Sequence, residues 1–315
     1  MVHCDVRKDF TVLVRWPAIA VAAMVVAGGL SACATSAGGD ANGGVVNVAA
    51  SINAWGSIVA QLGGAHVHAT SIITNPDTDP HDYEPTPADG RVIAGARLFV
   101  ENGVGYDSWA DKALAASPDA RRLVINVGKL VGVPADGNPH RWYDPSNVET
   151  VADTITSDLK KLDPTDAGYF DRQRAAFDRT GLARYHRLIT DIKNRYAGTP
   201  VGASESIFSP LAEALGLDVL TPASFLRAIS EGTDPSPADK ATIDAQIADK
   251  KIKVFVFNSQ NSTPDVSAQV AACKRAGIPV VAVTETLSPA GASFQQWQAA
   301  QLESLQAALA KVGGK

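Results

Sequence analysis

The sequence predicts an α/β fold of two lobes, each a parallel sheet flanked by helices, joined by one long rigid helix. Short apolar runs rich in β-branched residues alternate with segments of helical periodicity. This alternation occurs twice, in an N-terminal lobe (45–162) and a C-terminal lobe (199–315). The segment between them, 163–198, carries apolar residues at helical spacing and is assigned as the linking helix.

Four apolar runs of the first half predict strands: VVNVAAS (45–51), VHATSIIT (67–74), LFVEN (98–102) and LVINV (123–127). Helical patterns separate them, beginning with INAWGSIVAQLG and ending with YDSWADKALAA. Thr86, Pro87 and Asp89 are typical of a helix start, with an N-cap, a proline at the first helical position and a capping acid. Because helices separate the strands, we expect parallel pairing.

The second half repeats the scheme, with predicted strands at 200–204, 218–222, 253–258 and 279–284. Helices fit 206–215, 236–250, 264–276 and 292–311.

The linking segment predicts a helix of about 30 residues, ~45 Å long. Asp163 is a candidate N-cap, with Pro164 at the first helical position and Asp166 completing a capping box. Gly181 costs such a helix about 1 kcal/mol, so two helices broken at that glycine are the alternative.

The first 33 residues have the pattern of an export signal. Arg7, Lys8 and Arg15 supply positive charge, and the apolar run at 18–30 follows. A membrane span needs about 20 apolar residues, so this run is short for one. It ends in LSAC, which resembles the bacterial lipobox, in which the cysteine receives lipid. We expect lipid on Cys33, a flexible tether at 34–44, and a location at the extracytoplasmic face of the cell membrane; the alternative is an ordinary small-residue stretch with a chance cysteine.

The cysteines and the net charge further limit the class of protein. Cys4 would be removed with the signal and Cys33 would carry lipid. Only Cys273 then remains, so the folded body is expected to have no internal disulfide. Cys273 lies in an apolar helical pattern and is expected to be a buried small hydrophobe. A net charge of −5 and the lack of a long basic run argue against nucleic acid as a partner.

Four side chains suited to metal binding follow predicted strands. His81 and His140 come after strands of the first half, while Glu205 and Glu285 come directly after strands of the second. Because ligands bind beyond the carboxyl ends of parallel strands, we expect the four to meet in one cleft between the lobes. Two neutral imidazoles and two carboxylates balance a divalent cation, and Zn²⁺, Mn²⁺ and Fe²⁺ accept this mixed set of ligands.

The stretches around the two histidines, DPHDYEPTP (79–87) and NPHRWYDP (138–145), share a design. A proline precedes each histidine and restricts the loop. The acids Asp82, Glu84 and Asp144 are candidates to orient the imidazoles or to cap helices. Trp142 stands close to His140 in sequence and is a further candidate to support it.

These two stretches resemble the histidine motifs of the zinc/manganese solute-binding family of bacterial ABC importers. The glutamate of ASES and the acid of TETL occur in the family's order, and the resemblance covers about residues 45–312. It implies a monomeric receptor, not an enzyme, that captures metal between two lobes and delivers it to a permease and its ATPase. Carried over to this sequence, the implied ligands are His81, His140, Glu205 and Glu285.

The sequence departs from the family pattern at two ligand positions, and the cargo stays open between Zn²⁺ and Mn²⁺, with Fe²⁺ a further candidate. The family's last ligand is most often Asp, so the resemblance does not fix the denticity of Glu285. Glu205 stands where the zinc branch often has histidine, as in the manganese branch. However, residues 224–237 resemble proteins usually labelled for zinc.

Rival functions predict different features. A secreted zinc-dependent hydrolase needs an open metal position and a general base, and no HExxH pattern occurs. A receptor for an organic solute such as a siderophore predicts an aromatic or arginine-lined cleft. An adhesin role has no recognisable sequence pattern.

The remaining histidines of the body are not expected to bind metal. His66 and His68 are expected to be a surface pair, and His186 is expected to be exposed to solvent on the linking helix.

Overall fold

The strands form two parallel sheets of the same topology. The computed structural model describes residues 44–75, 80–261 and 263–313, which belong to one compact unit, Asn42–Lys315. The predicted signal segment, Cys33 and nearly all of the predicted tether lie outside the described residues.

Within the described residues each sheet has four strands, and all eight were predicted from the sequence to within a few residues at their ends. The first sheet has the order β2-β1-β3-β4 and the second the order β6-β5-β7-β8, with every pairing parallel. The strands are β1 Val46–Ile52, β2 Val67–Ile73, β3 Leu98–Glu101, β4 Leu123–Asn126, β5 Pro200–Ala203, β6 Asp218–Val219, β7 Val254–Asn258 and β8 Val280–Val283.

The strand order determines where a ligand can bind. In the first sheet the chain moves outward from β1 to β2, then crosses back to β3 on the other side of β1. The second sheet reverses in the same way between β5 and β7. Such a reversal leaves a crevice beyond the carboxyl ends of the two central strands, since their following loops diverge. Each half of the chain therefore offers one crevice.

Helices cover the sheets, and none in the described part of the chain is both long and apolar enough to cross a membrane. They are α1 Asn53–Gly63, α2 Pro87–Gly95, α3 Trp109–Ala116, α4 Val127–Leu130, α5 Pro145–Leu162, α6 Ala167–Ala176, α7 Ala183–Tyr196, α8 Ser209–Leu215, α9 Ala223–Ser230, α10 Pro237–Ala248, α11 Pro264–Ala276 and α12 Phe294–Val312. The predicted cap of α2 is confirmed, because the Thr86 side chain accepts from the Asp89 amide and the Asp89 carboxylate accepts from the Thr86 amide.

Two longer helices, α5 and α9, were not predicted from the sequence. In α5 the residues Val148, Val151, Ile155 and Leu159 are buried at spacings of three and four, which is the pattern of an amphipathic helix. The periodic signal for α5 is therefore present in the sequence, directly after the predicted metal-binding loop. Helix α9 has only eight residues, and its buried apolar face of Phe225, Leu226 and Ile229 is a weak periodic signal.

The linking segment is helical over most of its length, but the helix is not regular. A π-helical turn, Phe177–Gly181, and Leu182 separate α6 from α7. The expected capping box at its start is wrong. The Asp163 side chain accepts from the Thr165 hydroxyl at 2.6 Å, and the Asp166 carboxylate lies 2.9 Å from the imidazole of His66.

Helix α12 joins the two halves in addition to the linking segment. It packs against α7 of the linking segment, against β8 of its own half and against α1 of the first half. The amide of Phe294 donates to the Ser57 hydroxyl at 2.9 Å, and the side chains of Gln61 and Gln295 exchange two hydrogen bonds. One hydrophobic core consequently contains buried residues from both sheets, from Val46 to Leu309.

A smaller core lies on the outer face of the second sheet, beneath α9, α10 and α11. Cys273 belongs to it and is fully buried, as predicted. Burial raises the pKa of its thiol to about 12, so the thiol is protonated at neutral pH and serves as an apolar packing group.

Adjacent residues of β4 provide a test of this burial pattern. Ile125 is 4% exposed and Val124 is 44% exposed on the same edge strand. We expect Ile125→Ala to lower the free energy of unfolding by about 2–4 kcal/mol, because it leaves a cavity beneath the sheet. Val124→Ala should cost less than about 1 kcal/mol, since little of its contact is buried. Urea denaturation of both variants measures the difference, and equal losses would contradict the burial assignment.

Candidate metal centre

The four predicted ligand residues all lie at the carboxyl-end side of the sheets. His81 sits in the short turn Pro80–Asp82, and His140 directly precedes the turn Arg141–Tyr143. Glu205 follows β5 by two residues, and Glu285 follows β8 by two residues. The two histidines thus come from the first half of the chain and the two glutamates from the second.

Three of the four converge on one point. His81 Nε2 lies 3.4 Å from His140 Nε2 and 3.5 Å from Glu285 Oε2, and His140 Nε2 lies 3.7 Å from the same oxygen. A tetrahedral ion with bonds of about 2.0–2.2 Å sets its ligand atoms about 3.3–3.6 Å apart. The His81–His140–Glu285 triangle therefore has the dimensions of one face of a metal shell.

Glu285 is held in a polar pocket that water does not reach. It is fully buried, and the Tyr106 hydroxyl donates to its Oε2 at 2.8 Å. Burial raises the pKa of Glu285, but the neighbouring imidazoles of His81 and His140 outweigh burial and leave that pKa below its ordinary value. The carboxylate is therefore ionised at neutral pH and faces both imidazoles through one oxygen.

His140 is prepared to act as a neutral ligand. It is fully buried, and burial lowers its pKa despite the nearby Glu285 carboxylate. Its Nδ1 lies 2.9 Å from Oδ1 of Asn138, an acceptor that favours the proton on Nδ1. The lone pair of Nε2 then points into the triangle, where a cation needs it. Asn138 thus orients this imidazole, and the Ser206 hydroxyl lies 3.4 Å from the same nitrogen. Asn138 was not among the supporting residues predicted from the sequence.

Of the four predicted supporting residues, the side chain of Asp82 lies outside the described part of the structure, and the other three have different surroundings. Asp144 does not orient an imidazole in this structure; it caps α5, where its carboxylate accepts from the amides of Ser146 and Asn147. Glu84 is exposed to solvent. Trp142 is fully buried and packs edge-on against His140, with ring centroids 5.5 Å apart. Packing of this kind restricts the rotation of the imidazole.

Glu205 lies next to the triangle and is not one of its three corners. It is fully buried, its Oε1 accepts from Asn258 at 2.5 Å, and its Oε2 accepts from Asn261 at 3.0 Å. The same Asn258 amide nitrogen donates to Oε1 of Glu285 at 2.9 Å. One amide group therefore bridges the two predicted carboxylate ligands.

The loop after β7 supplies several groups of this site and was overlooked in the sequence. In the stretch FNSQN, Asn258 and Asn261 donate to the carboxylates, and the side-chain oxygen of Gln260 accepts from the backbone amide of Glu285. A run of amides directly after a central strand was the available signal. Amides are poor ligands for borderline metals, so such a run does not by itself indicate a metal site; here the amides position the carboxylates.

A cavity of about 670 Å³ adjoins the triangle on one side. His81 and Tyr106 line it from the first half, and Ser206, Arg227 and Asn261 line it from the second. The side chain of His81 is 21% exposed, while those of His140 and Glu285 are fully buried. His81 is consequently the corner of the triangle that solvent reaches.

Known proteins that are similar to this chain in sequence are named for metal binding or uptake. A family model described as zinc-uptake complex component A, periplasmic, matches residues 48–308. The manganese-binding lipoprotein MntA of Halalkalibacterium halodurans is 26% identical over 202 residues, covering 62% of this chain and 66% of that protein. The high-affinity zinc uptake system protein ZnuA of Bacillus subtilis is 22% identical over 204 residues, covering 57% and 60%. The chain thus spans about half to two thirds of the length of the first curated relatives that it matches.

Solved structures share the fold at low sequence identity. A Mn-bound mutant of a periplasmic metal-binding protein from Candidatus Liberibacter asiaticus superposes with a TM-score of 0.71 at 20% identity, covering 83% of this chain and 98% of that one. The periplasmic zinc-binding protein TroA of Treponema pallidum gives a TM-score of 0.70 with the same identity and coverage. Because the family model matches most of its length, this chain belongs to the family described as zinc-uptake complex component A, periplasmic.

Proposed function

We propose that this protein is the extracytoplasmic receptor of an ABC importer, which captures a divalent transition metal and hands it to a membrane permease. The observation that carries the proposal is the His81–His140–Glu285 triangle, whose atoms come from both halves of the chain and lie 3.4–3.7 Å apart. The family supports the role of receptor rather than hydrolase, since the relatives are named for metal binding and uptake.

The charge states at neutral pH support capture of a cation. The lowered pKa values of Glu285 and His140 leave an ionised carboxylate and a neutral imidazole, which are the forms that bind metal. Asn138 and Trp142 contact His140 on the side away from the triangle and fix its orientation. The His140 side chain therefore loses little conformational entropy when it binds an ion. The cargo enters on the side of His81, the exposed corner.

Glu205 is proposed as the fourth ligand. Its carboxylate is fully buried and shares the Asn258 amide with Glu285, which supports a place within reach of the same ion. To ligate, one of its oxygens exchanges an amide hydrogen bond for the cation. A shell of two carboxylates and two neutral imidazoles balances a charge of +2.

The remaining assignments from the sequence form part of the same proposal. A receptor of this kind works at the membrane, and the relatives called lipoproteins support an anchor through lipid on Cys33. One acyl chain binds only marginally, so more than one is expected. The ligands would be divided between a first lobe, 45–162, and a second lobe, 199–315, on either side of the linking segment 163–198. The partners are then the permease and the ATPase, with Zn²⁺ or Mn²⁺ as cargo.

Substitution of His140 tests the triangle. We expect His140→Ala to weaken Zn²⁺ and Mn²⁺ binding at this site more than about 100-fold. Loss of a residue that only orients a metal ligand already lowers metal affinity about 10–100-fold, and loss of the ligand itself should lower it further. His68→Ala is the matched control, since it removes an exposed imidazole elsewhere and should leave affinity unchanged. Calorimetric titration of the metal-free proteins measures both. Wild-type affinity in His140→Ala would overturn the assignment.

Substitution of Glu205 tests the fourth ligand and the choice of metal. We expect the wild-type protein to bind Zn²⁺ more tightly than Mn²⁺, as the Irving–Williams order requires. Glu205→His replaces hard oxygen with borderline nitrogen, so Mn²⁺ affinity should fall markedly while Zn²⁺ affinity changes much less. Titrations of both proteins with both metals give the two ratios. An unchanged Zn²⁺/Mn²⁺ ratio would remove Glu205 from the ligand set.

Substitution of Asn258 tests the bridge between the carboxylates. Asn258→Asp replaces a buried donor with a third acid, so we expect metal-free protein at pH 7 to lose about 3–5 kcal/mol of stability. Burial and two neighbouring carboxylates raise the pKa of the new acid above its unfolded value, so the folded state holds the extra proton. The loss relative to wild type should therefore shrink as pH falls from 7 to 5.

Urea denaturation at both pH values measures this effect, with Asn194→Asp as the control. Asn194 is exposed on α7, so its replacement adds an acid without burying it. A loss in Asn258→Asp that is the same at pH 5 and pH 7 would show that the amide does not bridge the two carboxylates.

A further inference from the structure

A second group of metal-binding side chains lies outside the His81–His140–Glu285 triangle. It consists of His66, Asp163 and Asp166, each of which offers one ligand atom within 4.8 Å of the others. His66 ends the short turn Gly64–His66 that follows α1. Asp163 precedes the turn Pro164–Asp166 between α5 and α6, and Asp166 ends it. We call this group the His66 cluster.

The spacing within the His66 cluster suits a metal ion. His66 Nδ1 lies 2.9 Å from Asp166 Oδ2 and 3.9 Å from Asp163 Oδ2. These two distances bracket the separation of about 3.3–3.6 Å that a tetrahedral ion imposes on its ligand atoms. The side chains of His66 and Asp166 are 29% and 33% exposed, so water can complete the shell.

Asp163 provides an independent indication of a missing partner. The residue is only 6% exposed, and its Oδ1 accepts from the Thr165 hydroxyl at 2.6 Å. Its Oδ2 is buried, faces the His66 ring, and has no hydrogen-bond partner among the described residues. A buried carboxylate oxygen without a donor costs free energy, so native proteins pair such atoms with a donor or a cation.

The charges around the His66 cluster also call for a cation. Among the described residues, neither Asp163 nor Asp166 forms an ion pair with a lysine or an arginine. A comparable group contains Glu149 and His186. There the carboxylate already has a basic partner, because Arg174 donates to Glu149 at 2.5 Å. A ligand set of two carboxylates and one neutral imidazole matches the charge of one divalent ion.

We propose that the His66 cluster binds a second divalent transition metal, separate from the transported one. An imidazole beside two carboxylates favours a borderline ion of the Zn²⁺ class over Ca²⁺ or Mg²⁺, which prefer oxygen ligands alone. Three protein ligands with partial exposure make this the weaker of the two sites. A bound ion would tie the end of α1 to the junction of α5 and α6, and so would stabilise the first half of the fold.

Zn²⁺ titration of the purified full chain tests this inference. Wild-type protein should bind about two equivalents of Zn²⁺, a tight one at the triangle and a weak one at the His66 cluster. The His140→Ala variant should still bind the weak equivalent. Asp166→Asn, an isosteric change at a partly exposed position, should lose the weak equivalent and keep the tight one. His68→Ala, two residues along the chain from His66, is the matched control and should keep both. Two equivalents in Asp166→Asn, or none in His140→Ala, would overturn the second site.

Thermal unfolding gives a readout that does not depend on stoichiometry. In the His140→Ala background, Zn²⁺ should raise the melting temperature, because an ion that binds only the folded state stabilises it. The added Asp166→Asn change should abolish this rise, while the metal-free melting temperatures of the two proteins stay close. A rise that persists in the double variant would place the ion elsewhere. Loss of the tight equivalent in wild type would instead count against the proposed receptor function, so the two failures are distinguishable.

Discussion

Two carboxylates lie side by side in the interior of this protein, and a single amide group holds them together. Asn258 donates from one nitrogen to Glu205 and to Glu285, which are both fully buried. Without a donor between them, two ionised acids at this depth would repel each other and lose their hydration. The neighbouring loop depends on the same arrangement, because Gln260 fixes the backbone at Glu285 while Asn261 fixes Glu205. This cluster of amides keeps negative charge at the centre of the molecule in a form that a cation can use.

The imidazoles that face these carboxylates come from the other half of the chain. The His140 loop is held by Asn102, which follows β3, accepts from Trp55 and donates to the carbonyl of Pro139. Two loops that begin at two separate sheets must therefore meet within hydrogen-bond distance of one another. The shared core around α12, α7 and α1 makes this possible, because it fixes the two sheets to the same helices. In this way apolar packing at one side of the molecule sets the distances within the polar site.

The His66 cluster follows a different logic. Its residues are brought together by the end of a helix and the start of another, and its acid Asp163 has one satisfied and one unsatisfied oxygen. The sequence suggested a capping box at this position, since Asp-Pro-Thr-Asp is typical of helix starts. In the structure Asp163 makes no side-chain cap, and the Asp166 carboxylate contacts the imidazole of His66 at 2.9 Å. The same ring packs against Tyr169 at a centroid distance of 4.3 Å. A local signal was overridden by a contact between residues that lie far apart in the chain.

The sequence by itself determined the strands of the described residues and most of the longer helices, and it predicted the residues of the candidate site. Eight strands could be recognised because buried parallel strands need continuous apolar runs, and the histidines stood out because prolines and aromatics surround them. Helix α5 was also recoverable from its apolar spacing, although it was not recognised. Only the tertiary structure decided which side chains orient the others. Asn138, Asn258 and Asp163 act on groups that the chain brings together only when it folds, and short polar side chains carry no periodic pattern that reveals such partners. Their role depends on the distance between two loops, and that distance is set by the packing of the whole core.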